Sequence, residues 1–158
     1  MIDFDTLIKT MNSSELSKPD EVIGCSPDEI STIEAKFGLK LPASYRAFLE
    51  RMGKCAGWLL EGSDFYYPDL LECRKAAEDL LKDDPAFELK QTDFVFLQHQ
   101  GYQFFFFNAA GSDDPPVFRF VEGEKQPLKV ADNFSNWLAT AVAQESKLNE
   151  KVKDSRPS

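Results

Sequence analysis

The sequence predicts an α+β fold: a single domain with an antiparallel or mixed sheet of about four to six strands flanked by helices. Three observations predict it. Two punctuated helices lie between Ser26 and Gly53. Strand-like runs with turn residues between them fill the stretch from Phe94 to Ala131. An amphipathic helix then follows from about Phe134, with Phe134, Trp137, Leu138, Ala141 and Val142 on one stripe.

The elements follow in order. Asp3 to about Met11 reads as a first helix with Phe4, Leu7, Ile8 and Met11 inward, and Asn12 to Asp20 as a polar loop. Ser26 suits an N-cap, Pro27 the first helical position, and Glu29, three residues after Ser26, completes a capping box. Ile30, Ile33 and Phe37 recur at helical spacing, and Gly38 supplies the left-handed residue that ends the helix. Leu39 and Leu41 are expected to be buried in a tight link. Pro42 opens a second helix, with Tyr45, Phe48, Leu49 and Met52 inward and Gly53 closing it. The shortness of the link forces the two helices to pack at an angle.

A short strand is expected near Trp58 to Leu60, then a loop to Tyr67. Pro68 starts a helix to about Lys82, stopped by Asp83-Asp84-Pro85. Strands are expected at Phe94 to Gln98, Tyr102 to Asn108, Val117 to Val121 and Leu128 to Ala131, with a turn over Gln98-His99-Gln100-Gly101. Phe104 to Phe107 must present rings to both faces of a sheet, because strand side chains alternate. One face therefore takes helices, and the other needs shelter. Asp132 or Asn133 caps the last helix. From Glu145 onward large apolar residues thin out to Leu148 and Val152, so residues 1–145 are expected to form the domain and 146–158 a polar, frayed tail.

The link between the helices carries a family resemblance. Gly38, Leu39, Leu41, Pro42, Tyr45, Phe48 and Leu49 fit a glycine-hydrophobic-x-hydrophobic-proline link followed by a helix that begins x-x-Tyr-x-x-Phe-Leu. This resembles the SUKH superfamily, also described as Smi/Knr-like proteins, over roughly Asp20 to Ala143. Where that family has a glycine-rich turn after the second helix, this chain has Gly53-Lys54-Cys55-Ala56-Gly57. For a bacterial member the resemblance implies an immunity protein that binds and neutralises a cognate toxin domain in the cytoplasm. Many such toxins are nucleases with basic clefts. The resemblance equally allows a regulatory or scaffold domain that binds a housekeeping protein or a peptide.

Composition narrows the chemistry. The chain of 158 residues has a formal net charge of −9, and the window from Glu61 to Asp93 holds ten acids against four bases. That sign disfavours nucleic acid and suits a protein partner with a basic surface, although acids also simply keep a domain soluble. Cys25, Cys55 and Cys73 are odd in number and form no CxxC unit, so they are expected to be reduced, in keeping with a cytosolic location. The acidic start lacks an apolar core of secretory length, and the Phe104 to Phe107 run is too short to span a bilayer. No phosphate loop, GxSxG or HExxH occurs, and catalysis would have to be built around one histidine, His99. The paired acids Asp83-Asp84 and Asp113-Asp114 sit beside prolines, where aspartate serves turns. The expectation is therefore a non-enzymatic binding domain with no cofactor and no metal.

Two stretches stand out for partner binding. Trp58, Tyr66 and Tyr67 are interleaved with Glu61, Asp64 and Asp69, so rings could anchor and carboxylates steer; the rings suit a core equally well. His99, Gln100 and Tyr102 form a polar hairpin tip with an aromatic beside it, which reads as a recognition patch or as an ordinary turn.

Overall fold

In a computed structural model of the chain, residues 2–83, 85 and 87–155 are described. The Asp3 carboxylate accepts the Thr6 N–H at 3.1 Å and starts α1 (Phe4–Ser13). β1 (Val22–Ile23) follows, a strand too short to carry any periodicity. The capping box then forms: Ser26 Oγ accepts the Glu29 N–H at 3.2 Å, and Glu29 Oε1 accepts the Ser26 N–H at 2.8 Å. It opens α2 (Pro27–Phe37), which ends at Gly38 with φ of 62°.

One side chain holds the link. Glu34 accepts the Leu41 N–H at 2.8 Å and the Arg46 guanidinium at 2.6 Å. α3 (Ala43–Met52) buries Tyr45, Phe48, Leu49 and Met52, as the spacing predicts. Gly24 and Gly53 let the chain pass close to α3. A Cβ on Gly24 would stand 1.9 Å from the Glu50 carbonyl oxygen.

The stretch after α3 differs from the sequence reading. Trp58 to Leu60 is a turn, not a strand: Glu61 N–H donates to Trp58 O at 3.1 Å, and Leu60 has a φ of 57°. Of these three apolar residues only Leu59 is buried, an alternation that suits a strand as well, so the burial pattern does not separate the two and the backbone conformation decides. The strands lie on either side of the turn. β2 (Cys55–Ala56) pairs antiparallel with β1, and β3 (Ser63–Asp64) joins the main sheet. A 3₁₀ turn over Asp69–Glu72 then leads into α4 (Cys73–Asp83). Asp83 ends that helix, and Asp84 lies outside the described residues.

The main sheet is an antiparallel meander of five strands in the order β3, β4 (Asp93–His99), β5 (Gln103–Asn108), β6 (Val117–Val121), β7 (Leu128–Ala131). Strand alternation sends the phenylalanines both ways, as expected. On one face Phe94, Phe96 and Phe107 meet Tyr45 of α3, and Phe96 and Phe107 also meet Phe134 of the last helix, with ring centroids 5.2 to 6.1 Å apart. On the other, Phe104, Phe106 and Phe120 surround Phe87. Residues 93–97 of β4 are all buried, and α4 packs along that strand.

Asn133 caps α5 (Phe134–Ser155), its Oδ1 accepting the Asn136 N–H at 2.8 Å. The helix passes position 145 without a break and reaches Ser155. There Asn149 Nδ2 donates to the Ser14 carbonyl at 2.6 Å, and Ser146 is buried. Residues 156–158 lie outside the described residues.

Candidate functional site

The β3–β4 register joins the two stretches that the sequence marked separately. Ser63 stands opposite His99, and Asp64 opposite Gln98. Ser63 Oγ and His99 Nδ1 are 2.8 Å apart, and Gln98 Nε2 donates to the Asp64 carboxylate. Gln98 Oε1 also accepts the Gly101 N–H at 2.9 Å. That bond shapes the hairpin tip, where Gln100 and Gly101 have φ of 51° and 78°. The Tyr102 ring meets the His99 imidazole edge-on at 5.5 Å. Gly62, with φ of 88°, brings the 58–62 turn past His99: a Cβ there would lie 3.8 Å from His99 Cε1.

The nine candidate residues divide by exposure. Trp58 is 57% exposed and Tyr102 40%, and Glu61, Asp69 and Gln100 also face solvent. Asp64 and His99 are half-buried and tied into the β3–β4 pair. Tyr66 and Tyr67 pack against the core. The Tyr66 hydroxyl donates to Leu59 O at 2.9 Å, and burial raises its pKa above the ordinary phenol value. The Tyr67 N–H donates to Gly53 O at 2.8 Å. Two aromatics, two acids and Gln100 are thus presented outward, and the other four candidates are packed or tied into the framework.

The acidic window is not one surface. Glu78 pairs with Arg74 at 2.7 Å, and Glu72 and Asp79 lie 3.9 Å from Lys36 and Lys82. Asp93 is buried and accepts from the Lys90 N–H at 2.9 Å and from Asn108 Nδ2 at 3.1 Å. Its first part meets the His99 hairpin through Gly62, Ser63 and Asp64.

Glu145, which sequence reading passed over as the start of the tail, holds this region from a distance of 85 residues. Its Oε1 accepts the Leu60 N–H at 2.8 Å, and so fixes the 58–61 turn to α5. Burial raises the Glu145 pKa, and the Leu60 N–H offsets only part of that rise. Beyond the turn a groove of about 510 Å³ runs between α5 and the β5 and β7 side of the sheet, with Phe105, Trp137 and Ala141 among its walls. Trp137 belongs to the apolar stripe that reads as core in the sequence, and it is core; no local signal shows that the stripe also walls a groove.

The cysteines are three free thiols, with Cys25 and Cys73 buried. Burial pushes the Cys25 thiol up to about 11 and the Cys73 thiol up to about 12. Glu29 adds to the rise at Cys25 and outweighs the nearby Lys54. Among the described residues no group of three or more His, Cys, Asp or Glu side chains is placed to hold a metal ion.

The α2–link–α3 geometry and the five-stranded meander stand together with a family match over residues 24–140, to the SMI1 / KNR4 family (SUKH-1). The chain belongs to that family. The matched span in this SUKH-1 domain begins just before the Ser26 cap and ends within α5, so it includes the link, the β3–β4 pair and the His99 hairpin. No curated protein matches the chain. Among the described residues no helix of this SUKH-1 domain is long and apolar enough to cross a membrane.

Proposed function

We propose that this SUKH-1 domain is a non-enzymatic, cytoplasmic immunity protein that neutralises a cognate toxin by binding it directly. The observation that carries the reading is the junction at β3 and β4. There Trp58 and Tyr102 face solvent on neighbouring loops, with Glu61 exposed on the same turn as Trp58 and Asp69 exposed farther along the chain. Exposed rings with a carboxylate rim suit a protein partner: the rings anchor, and the acids steer and select a basic surface such as a nuclease cleft. Trp58, Glu61, Asp64, Tyr66, Tyr67, Asp69, His99, Gln100 and Tyr102 form the proposed surface, with Asp64, Tyr66, Tyr67 and His99 supporting the residues that make contact.

The reading expects a toxin reading frame adjacent to the gene for this chain, and the test is co-expression with the toxin domain it encodes; a gene with no such neighbour would favour a regulatory domain instead. The expected result is restored growth and a stable complex. Exchanging Glu61 and Asp69 for lysine should weaken that complex and flatten its salt dependence; Asp64 is left intact because it is bonded to Gln98. Unchanged affinity at low salt would remove the electrostatic part of the reading. Failure to protect against the adjacent toxin would remove the reading itself.

A further inference from the structure

The groove on the far side of the Leu60 turn has an unusual balance of chemistry. Its apolar walls include Phe105, Trp137 and Val130, and Val130 is 39% exposed. Other exposed apolar residues lie on the same two elements: Leu128 on the edge strand β7 is 51% exposed, and Leu148 and Val152 farther along α5 are 60% and 52% exposed. Exposed apolar side chains beside an apolar groove suit an interaction site. Among the described residues that line the groove, two are acidic, Asp132 and Glu145, and none is lysine or arginine. Asp132 already has Lys129 at 2.9 Å. Glu145 takes its hydrogen bond from a backbone amide, not from a cation, and sits half-buried at the groove's end.

We propose that this groove is a docking site for a protein segment that carries a large apolar side chain flanked by arginine or lysine, contributed by the toxin partner. The apolar side chain fills the space against Phe105 and Trp137. The flanking cation meets Glu145, where it offsets the burial that now disfavours the carboxylate. The site lies next to the Trp58–Tyr102 surface, joined to it through the Leu60 turn, so one partner can engage both. The proposal rests on the immunity reading for the partner's identity, and on the groove alone for the partner's chemistry.

The experiment titrates a capped nine-residue peptide, with a central leucine between arginines, into the full ¹⁵N-labelled chain and follows amide shifts. The control peptide has glutamates in place of the arginines. Shifts at Val130, Asp132, Ala141 and Glu145 are expected with the first peptide and not with the second. Thr140→Arg, at an exposed position on the rim, should abolish them. Glu145→Gln, which keeps an acceptor for the Leu60 N–H, should weaken binding about tenfold. No shifts, equal shifts with the glutamate peptide, or shifts confined elsewhere would overturn the proposal. So would a concentration-dependent dimer of the chain that Thr140→Arg disrupts, because a second copy would then be the occupant. The co-expression assay separates the two readings. If Thr140→Arg protects normally while the Glu61 and Asp69 exchange does not, the groove's role falls and immunity stands. If the arginine peptide binds the groove and no toxin is neutralised, immunity falls and the groove's chemistry stands.

Discussion

Tyr45 offers a test of the scaffold that separates the ring from its hydroxyl. The side chain is fully buried, and its ring lies 5.2 to 6.1 Å from those of Phe48, Phe94, Phe96, Phe107 and Phe134. Its hydroxyl oxygen is buried and makes no hydrogen bond with the described residues, and burial holds its pKa well above the ordinary phenol value. A buried polar group without a partner costs about 1–3 kcal/mol. Tyr45→Phe removes that cost and keeps the ring packing intact. The oxygen's own dispersion attraction to its neighbours disappears with it, which leaves the variant about 1 kcal/mol more stable. For a chain of this size that raises Tm by about 2–4 °C, and it shifts a urea midpoint upward by about 0.5 M at a typical slope. Tyr45→Ala removes the ring as well and should cost about 3–5 kcal/mol through the cavity it leaves. Urea unfolding followed by circular dichroism reads both. A lower midpoint for Tyr45→Phe would refute the reasoning, since the hydroxyl would then be holding a bond that the fold requires.

Glu145→Gln should be more stable than the parent at pH 7. A raised pKa means that the folded chain holds the proton more tightly than the unfolded one, so the ionised side chain opposes folding above its folded pKa and has no such effect below the unfolded value near 4.5. The difference should shrink as pH falls toward and below that value, and a pH-independent difference in unfolding midpoint would contradict it. Gly24→Ala should destabilise by about 2 kcal/mol or more, because its Cβ would collide with the Glu50 carbonyl at 1.9 Å. Gly101→Ala meets nothing within 4 Å and should cost only about 1 kcal/mol, from its positive φ. Thermal melts of the pair check the order. Iodoacetamide at pH 8 should label Cys55 before Cys25 or Cys73, whose thiols are buried and held protonated. Mass spectrometry of partly labelled protein reads the order, and early labelling of Cys25 would contradict it.

What could be read from the sequence had local causes. Ser26, Glu29 and Gly38 act within a turn or two of their own positions, and the helix they bound is the one observed. Val117–Val121 and Leu128–Ala131 were legible because turn residues bracket them. Trp58 to Leu60 misled because three apolar residues in a row suggest a strand, while their conformation is set by a Glu145 carboxylate that no local pattern reveals. β1, β2 and β3 have two residues each and exist only through their partners. The candidate site shows the same division. Both of its halves were visible as residue types, but their meeting depends on Ser63 lying opposite His99, a pairing across 36 positions. The groove was hidden for the same reason: Trp137 and Ala141 fit a core stripe, and the groove arises only where α5 lies along the sheet.

The placement of the two tryptophans makes the chain its own optical instrument. Trp137 is 8% exposed, within ring contact of Phe65, Phe96, Phe105 and Phe134, while Trp58 is 57% exposed on the turn beside the His99 hairpin. One indole is largely sheltered from water and the other is open to it. Iodide should quench the long-wavelength fraction contributed by Trp58 and spare the short-wavelength fraction from Trp137. A ligand on the outer surface would shield the first, an occupant of the groove would perturb the second, and loss of structure would merge the two. Single replacements, Trp58→Phe and Trp137→Phe, assign the fractions. Docking, groove filling and unfolding then become three distinguishable spectral events in one unlabelled protein.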